Sequence, residues 1–211
     1  MAKIKPFEEH FEEYEQWFED NKIVYESELQ AVREMLPDSG KALEIGVGSG
    51  CFAGPLGIRI GVEPSPKMGE LARQRGIFVV KGVSEDLPFL DSEFDYALMV
   101  TTICFVDDLD RAFKEAFRVL KDTGVLVVGF VDRQSPVGQA YERSKGKSNF
   151  YKVATFYSVG EVLESLKKAK FQKFSFRQTI FRDLKEITDP EPIREGYGEG
   201  SFVVIRAEKT R

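Results

Sequence analysis

Apolar residues recur in the first part of this chain at the three- and four-residue spacing of an amphipathic helix. Two such stripes lie within residues 7–36, and a break is predicted between them near Asp20 and Asn21. Proline and glycine within residues 37–40 end the second stripe with the chemistry of a turn. The pattern predicts two helices, with the apolar positions Phe7, Phe11, Tyr14 and Phe18 in the first and Tyr25, Leu29, Val32 and Leu36 in the second.

Short and almost uninterrupted apolar runs follow, and they alternate with helical patterns. Runs of this kind are typical of parallel strands that are buried on both faces. Their alternation with helices predicts an α/β fold with a doubly wound parallel sheet and right-handed crossovers. The predicted strands span residues 41–45, 58–63, 77–80, 94–100 and 125–131, and the predicted helices span residues 67–75 and 109–121.

The pattern changes in the last third of the chain. Residues 132–157 are polar and aromatic without a clear period, and residues 159–170 return to helical spacing. Strand-like alternation begins at Phe174 and again over residues 201–207, with no helix between the two runs. Two such strands predict an antiparallel hairpin at the sheet edge. Their long connection, residues 182–200, ends in a glycine-rich run and is expected to be mobile.

Composition and charge argue against nucleic-acid, membrane and metal partners. The 211 residues carry a net charge of -5 with a pI near 5.2, and the basic residues are scattered, so no nucleic-acid partner is expected. No apolar segment is long enough to span a bilayer, and the first residues lack the apolar region of a secretory signal. Cys51 and Cys104 match no metal-ligand spacing and are expected to be free thiols. We therefore expect a cytoplasmic protein without a metal or a membrane partner.

The most informative stretch is the end of the first predicted strand. One acid, Glu44, interrupts its apolar run, and Gly46, Gly48 and Gly50 follow on alternate positions. Glycines there let the backbone approach a ligand closely, and the helix that follows is expected to aim its N–H groups at the same place. A second acid, Glu63, ends the next predicted strand, within reach of a ribose diol. The pattern predicts a cofactor that contains a nucleoside.

The spacing and the first acid indicate which cofactor. The dinucleotide fingerprint needs a small residue three positions after the second glycine, where this chain has Cys51, and Gly50 comes one position too early. A carboxylate at Glu44 would repel a pyrophosphate, whereas it suits an ammonium group. A cofactor with a ribose, an ammonium group and no phosphate is S-adenosylmethionine. A nicotinamide-dependent oxidoreductase stays the less favoured alternative.

Five segments, in order and at matching spacing, resemble the class I S-adenosylmethionine-dependent methyltransferases, and most closely their small-molecule branch, type 11. The resemblance covers roughly residues 38–131. It implies a Rossmann-like seven-stranded sheet, mostly parallel with an antiparallel last strand, which agrees with the predicted hairpin. The segments are residues 43–50, residues 61–65 with Met68, residues 84–89, residues 94–96 and residues 115–124.

The resemblance also implies roles for individual residues. Glu44 and the glycine turn would hold the methionyl end of the cofactor, and Glu63 would bind the ribose hydroxyls. The segment after the third predicted strand, with Ser84 and Glu85, would border the adenine. Val83 stands where the family often has an acid, and Cys51 has no assigned role. The implied cofactor residues are Glu44, Gly46, Val47, Gly48 and Gly50; Glu63, Pro64 and Met68; Ser84, Glu85 and Leu87; and Val100 and Thr101, which would line the passage to the sulfonium.

The methyl acceptor is less well indicated. Aromatic residues of the first helix either pack onto the sheet or form a lid over cofactor and acceptor. Those between residues 141 and 157 are either core or an acceptor pocket whose ring faces favour a cationic amine. Arg133 either steers an acidic acceptor or is solvated, and His10, the only histidine, is expected at the surface. The candidate acceptor residues are Tyr14, Trp17, Phe18, Arg133 and Tyr151.

Together these features predict methyl transfer from S-adenosylmethionine to the nitrogen or oxygen of a small organic molecule. Displacement from a sulfonium needs alignment and exclusion of water more than a nucleophilic side chain, so no catalytic residue is assigned. A binding subunit that has lost catalysis is the main alternative. We expect a monomer or homodimer of one domain, residues 1–211, divided into an N-terminal helical cap (1–37), a cofactor-binding core (38–131) and an acceptor-side segment with the terminal hairpin (132–211).

Overall fold

The computed structural model describes residues 3–210, which form a mixed α/β sheet of eight strands with helices on both faces. The strands are β1 (Ala42–Ile45), β2 (Ile60–Glu63), β3 (Phe78–Lys81), β4 (Phe94–Val100), β5 (Leu120–Val131), β6 (Phe171–Thr179), β7 (Arg194–Glu195) and β8 (Phe202–Lys209). Their order across the sheet is β3-β2-β1-β4-β5-β8-β6-β7. The Rossmann-like fold class is therefore confirmed, with one short strand more than the seven expected.

The helices are α1 (Lys5–Glu9), α2 (Phe11–Asp20), α3 (Lys22–Arg33), α4 (Ala53–Leu56), α5 (Pro66–Gln74), α6 (Leu109–Val119), α7 (Pro136–Ser144) and α8 (Val159–Lys168). The predicted break at Asn21 separates α2 from α3, and a second break at His10 separates α1 from α2. Among the helices of residues 3–210, none is long and apolar enough to cross a membrane.

The strand directions place the last strand differently from the prediction. Strands β1 to β5 pair in parallel, and β8 is antiparallel to both of its neighbours, β5 and β6. The predicted hairpin is thus present, but β8 lies inside the sheet and the two-residue β7 forms that edge. The reason is the run Phe202, Val203, Val204 and Ile205, which is fully buried on both faces.

Two hydrophobic clusters fill the space between the sheet and its helices. One joins the sheet to α6 and α8, and it includes Phe94, Phe113 and Phe171. The other joins the opposite face to α3 and α5, and it includes Val32 and Phe202. This double covering fixes the carboxyl ends of β1, β2 and β4 at one edge of the sheet, where ligands bind in folds of this class.

Two segments differ from their expectations. The polar stretch after β5 was expected to be irregular, yet it contains α7, because Ser135 caps the Gly138 N–H and Pro136 fits the first helical turn. The connection over residues 182–200 is anchored rather than loose at its centre. The buried Glu191 accepts hydrogen bonds from the Phe181 N–H and the Arg182 side chain.

Candidate active site

The glycine turn after β1 needs glycine for both conformation and space. Gly46, Gly48 and Gly50 have φ angles of +69°, +55° and +86°, in the left-handed region. A Cβ atom on Gly46 would lie 2.3 Å from Cγ2 of Thr102, so a side chain there would displace the loop after β4. Glycine is therefore required at Gly46 by packing against Thr102 as well as by backbone conformation.

Glu63, at the end of β2, is held against this turn. Its two carboxylate oxygens accept the Gly48 N–H and the Ser65 N–H, each at 2.9 Å. Burial raises the pKa of Glu63 to about 7, although the two N–H donors oppose that shift. An ionised carboxylate has about four lone-pair positions, so Glu63 retains acceptor capacity for further hydroxyl donors.

Glu44, on β1, lies behind the turn and is only 2% exposed. One of its oxygens, Oε2, has no hydrogen-bond partner among residues 3–210. Burial raises the pKa of Glu44 well above its usual value, while a hydrogen bond from the Ala53 backbone opposes the shift. Since Ala53 begins α4, the first N–H of this four-residue helix faces Glu44 rather than a ligand, which corrects the expectation for that helix.

A cavity of about 90 Å³ lies at the ends of β1, β2 and β4. The predicted residues that line it are Gly46, Gly48, Glu63, Pro64, Met68, Ser84, Glu85, Val100, Thr101 and Tyr14. Four predicted cofactor residues do not: Glu44, Val47, Gly50 and Leu87. Leu87 is buried in the cluster beneath α6, and Val47 packs against Gly61.

The sequence reasoning missed part of the cavity wall. Lys3, Ile4 and Phe7 come from the N-terminal segment, and Phe105 and Val106 from the loop after β4. That loop is at the carboxyl end of the strand next to β1, which is the available signal for it. Glu85 fixes the loop by accepting the backbone N–H of Asp107 at 2.6 Å and of Asp108 at 3.3 Å.

The N-terminal helices cover the cavity and are tied to its rim. Glu8 of α1 accepts hydrogen bonds from the Ser65 hydroxyl and the Lys67 N–H, and Glu15 of α2 pairs with Arg75. Tyr14 lies directly over the turn, since a Cβ on Gly48 would be 3.3 Å from its hydroxyl. Burial, with neighbouring Cys51 and the two buried acids, raises the pKa of Tyr14 well above 10. Its hydroxyl therefore stays protonated.

A second cavity of about 300 Å³ adjoins the first. Twelve of its twenty lining residues are aromatic, so we call it the aromatic cavity; Tyr14, Trp17, Phe18, Tyr141, Phe150, Tyr151, Phe156 and Tyr157 are among them. Thr101 lines both cavities with a φ angle of +50°, a strained conformation for a residue other than glycine. The two cavities thus meet at the end of β4.

Two polar candidates lie elsewhere. Arg133 pairs with Glu161 at 2.8 Å and donates to the Phe156 carbonyl at 3.3 Å, and it does not line the aromatic cavity. The structure therefore places it away from any acceptor there. His10 packs edge-on against Phe150 and lines neither cavity.

The buried acids predict how stability depends on pH. Glu28, Glu44 and Glu63 all have raised pKa values in the fold, so the unfolded chain releases their protons at lower pH than the folded one. These three acids therefore add to the free energy of unfolding below about pH 4.5, and their contribution is lost as pH rises towards about 8. We expect the melting temperature of the cofactor-free protein to fall by at least about 5 °C between pH 5 and pH 8. Equal or higher stability at pH 8 in thermal unfolding would contradict this.

Several known proteins are similar to this chain in sequence. The family model described as a methyltransferase domain, type 11, matches residues 43–128. An uncharacterized protein of Methanocaldococcus jannaschii is 46% identical over 203 residues, which cover 96% of this chain and 98% of that protein. The ubiquinone/menaquinone biosynthesis C-methyltransferase of Rickettsia typhi is 36% identical over 93 residues, covering 41% of this chain and 33% of that enzyme.

Solved structures are similar as well. The crystal structure of a SAM-dependent methyltransferase of Thermotoga maritima, a possible histamine N-methyltransferase, is 55% identical with a TM-score of 0.95. The match covers 97% of this chain and 98% of that one. A phosphoethanolamine N-methyltransferase of Haemonchus contortus, solved with S-adenosylhomocysteine, has a TM-score of 0.64 at 16% identity and shares the fold alone; the match covers 87% of this chain and 52% of that one.

Proposed function

Since the chain belongs to the class I S-adenosylmethionine-dependent methyltransferases, we propose that it methylates a small organic molecule bound in the aromatic cavity. The observation that carries the proposal is the shared wall of the two cavities. Phe7, Tyr14, Thr101 and Phe105 line both, so a cofactor in one cavity and an acceptor in the other would be direct neighbours. The proposed accepting atom is a nitrogen or oxygen with a free lone pair.

The residues around the glycine turn fit S-adenosylmethionine. Glu63 would bind the ribose hydroxyls. Glu44 lies behind the cavity wall and does not line it, so the charge of its unpartnered oxygen would attract the ammonium group from behind the glycine turn. The Gly48 N–H already donates to Glu63, so a phosphate at the same place would meet a carboxylate instead of a free donor. This arrangement disfavours a dinucleotide and supports the assignment of the two acids.

Bound S-adenosylmethionine supplies a methyl group on a good leaving group, the sulfonium sulfur. The chain's own contribution is then to position the acceptor and exclude water. Phe7 of α1 and Tyr14 of α2 line both cavities, so these helices would exclude water from the junction. The raised pKa keeps the Tyr14 hydroxyl protonated, so at the junction it could donate a hydrogen bond but would not act as a base.

Turnover tests this proposal directly. Purified protein is incubated with S-adenosylmethionine and a panel of small amines, phenols and carboxylates, and release of S-adenosylhomocysteine is measured. We expect release with at least one amine or phenol. Binding of S-adenosylhomocysteine without release from any acceptor would instead favour a non-catalytic binding subunit. A larger thermal shift with NAD than with S-adenosylhomocysteine would overturn the cofactor assignment.

A further inference from the structure

Glu28 is a buried acid that faces the aromatic cavity. It is 6% exposed and lies on the buried side of α3, four residues from both Val24 and Val32. Its neighbour Ser27 fixes this part of the helix, since the Ser27 hydroxyl accepts the Glu191 backbone N–H at 2.9 Å. The carboxyl group is therefore held at the cavity wall by the fold.

Glu28 has no counter-charge in the part of the chain that the structure describes. Burial alone raises the pKa of Glu28 to about 8, and no hydrogen bond or cation there opposes the shift. Buried acids in proteins are normally paired or hydrogen-bonded, because burial without a partner costs free energy. An acid that only supports the fold would be expected to have such a partner. The described residues leave the Glu28 carboxyl group free to bind a partner from outside the chain.

The remaining wall of the aromatic cavity favours a cation. Its lining contains a second acid, Glu13, and, within residues 3–210, no lysine, arginine or histidine. Tyr141 and Tyr151 lie near Glu28, whose negative charge contributes to the raised pKa values of both tyrosines. Aromatic ring faces attract cations, and the buried Glu28 repels anions when it is ionised. Glu13 is 56% exposed and accepts a hydrogen bond from Asn149, so it contributes less. The volume of about 300 Å³ suits a small organic molecule.

We propose that the methyl acceptor is a molecule with a protonated amino group, which Glu28 binds inside the aromatic cavity, while a different nitrogen or oxygen of the same molecule, one with a free lone pair, receives the methyl group. This rests on the proposed function, since it concerns the acceptor of that same site. Glu28 is thus a substrate-binding residue that selects amines over phenols and carboxylic acids of the same shape. The aromatic rings contribute shape and cation–π attraction, and Glu28 contributes the charge.

The proposal predicts a pH dependence of binding. Near neutral pH the Glu28 carboxyl is largely protonated, so an ammonium ligand must displace its proton. The other titratable groups that face the cavity are Glu13, Tyr14, Cys104, Tyr141, Tyr151 and Tyr157. Raised pKa values keep the tyrosines and the Cys104 thiol neutral over this range. Affinity for an ammonium ligand should therefore rise about tenfold from pH 7 to pH 9, and it should fall again above about pH 10, where the amine loses its own proton.

The test is calorimetric titration of the S-adenosylhomocysteine-saturated protein with three probes of similar shape. They are 2-phenylethylamine, the neutral 2-phenylethanol and the anionic 3-phenylpropanoate. We expect the amine to bind at least about tenfold more tightly than the other two. In Glu28→Gln, this preference and the rise with pH should both disappear, while 2-phenylethanol binds as before. The control Glu26→Gln, an exposed position of the same helix, should behave as the unaltered protein.

Each result of these titrations either supports or overturns the proposed role of Glu28. Failure of 2-phenylethylamine to bind, equal binding of amine and alcohol, or an unchanged preference in Glu28→Gln would overturn the proposal. If Glu28→Gln does not fold, the pH dependence of amine binding to the unaltered protein decides alone, and affinity that is constant between pH 7 and pH 9 is contrary to it. The proposed function fails separately, through absence of S-adenosylhomocysteine binding or of turnover.

Discussion

Replacement of Glu63 by alanine is expected to weaken S-adenosylmethionine binding by about 100-fold or more. The ribose hydroxyls would lose their hydrogen bonds to the Glu63 carboxylate, and each hydrogen bond to a charged group contributes about 1.5–3 kcal/mol of binding free energy. The change also leaves the Gly48 and Ser65 N–H groups without their acceptor, which loosens the glycine turn. Calorimetric titration with S-adenosylhomocysteine measures the loss.

Two controls separate binding from folding in this experiment. Glu63→Gln keeps an acceptor oxygen and the side-chain volume, and Glu70→Ala removes an exposed acid from the neighbouring α5. We expect an intermediate loss for the first and none for the second. An affinity in Glu63→Ala within about twofold of the unaltered protein, with an intact fold, would remove the ribose assignment.

Replacement of Glu44 by glutamine is expected to have two opposite effects. Affinity for S-adenosylhomocysteine should fall about tenfold or more, because the ammonium group loses the attraction of the buried carboxylate behind the turn. The cofactor-free protein should become more stable at pH 8, because glutamine has no proton to lose. In the unaltered protein the raised pKa of Glu44 makes the fold less stable as pH rises, so the gain should increase with pH.

A truncated ligand distinguishes the two acids. 5′-Methylthioadenosine contains the adenosine group but no ammonium group. Glu44→Gln should bind it as well as the unaltered protein does, whereas Glu63→Ala should bind it weakly. Equal losses for both ligands in Glu44→Gln would show that this residue acts through the fold of the turn and not on the ammonium group.

The centre of the fold was predictable from the sequence because its signals are local. The continuous apolar run of β4 gave the bounds Phe94 and Val100 that the structure has. The strands β1 and β2 were predicted within two residues at their starts, since turn residues mark their ends. The position of β8 inside the sheet was not predictable by the hairpin rule, because it depends on pairing with the distant β5.

The site likewise contains residues that local motifs predict and residues that depend on tertiary packing. The glycine turn and the two acids belong to short motifs, so their placement follows from strand direction alone. Glu28 was missed because the predicted stripe of α3 began at Tyr25, whereas the buried side runs through Val24, Glu28 and Val32. The four-residue spacing of these positions is present in the sequence, but Glu28 is an acid and was therefore not included among the apolar positions of the helix. Contacts of Phe105 and Tyr14 with both cavities depend on tertiary packing, which no local pattern contains.

A crystal structure of the protein with S-adenosylhomocysteine and an amine substrate analogue tests the central claim most directly. The account predicts the cofactor product in the cavity lined by Gly48 and Glu63, and the analogue in the aromatic cavity, with Tyr14 and Thr101 between them. S-adenosylhomocysteine in the aromatic cavity, or an analogue bound outside it, would contradict the account.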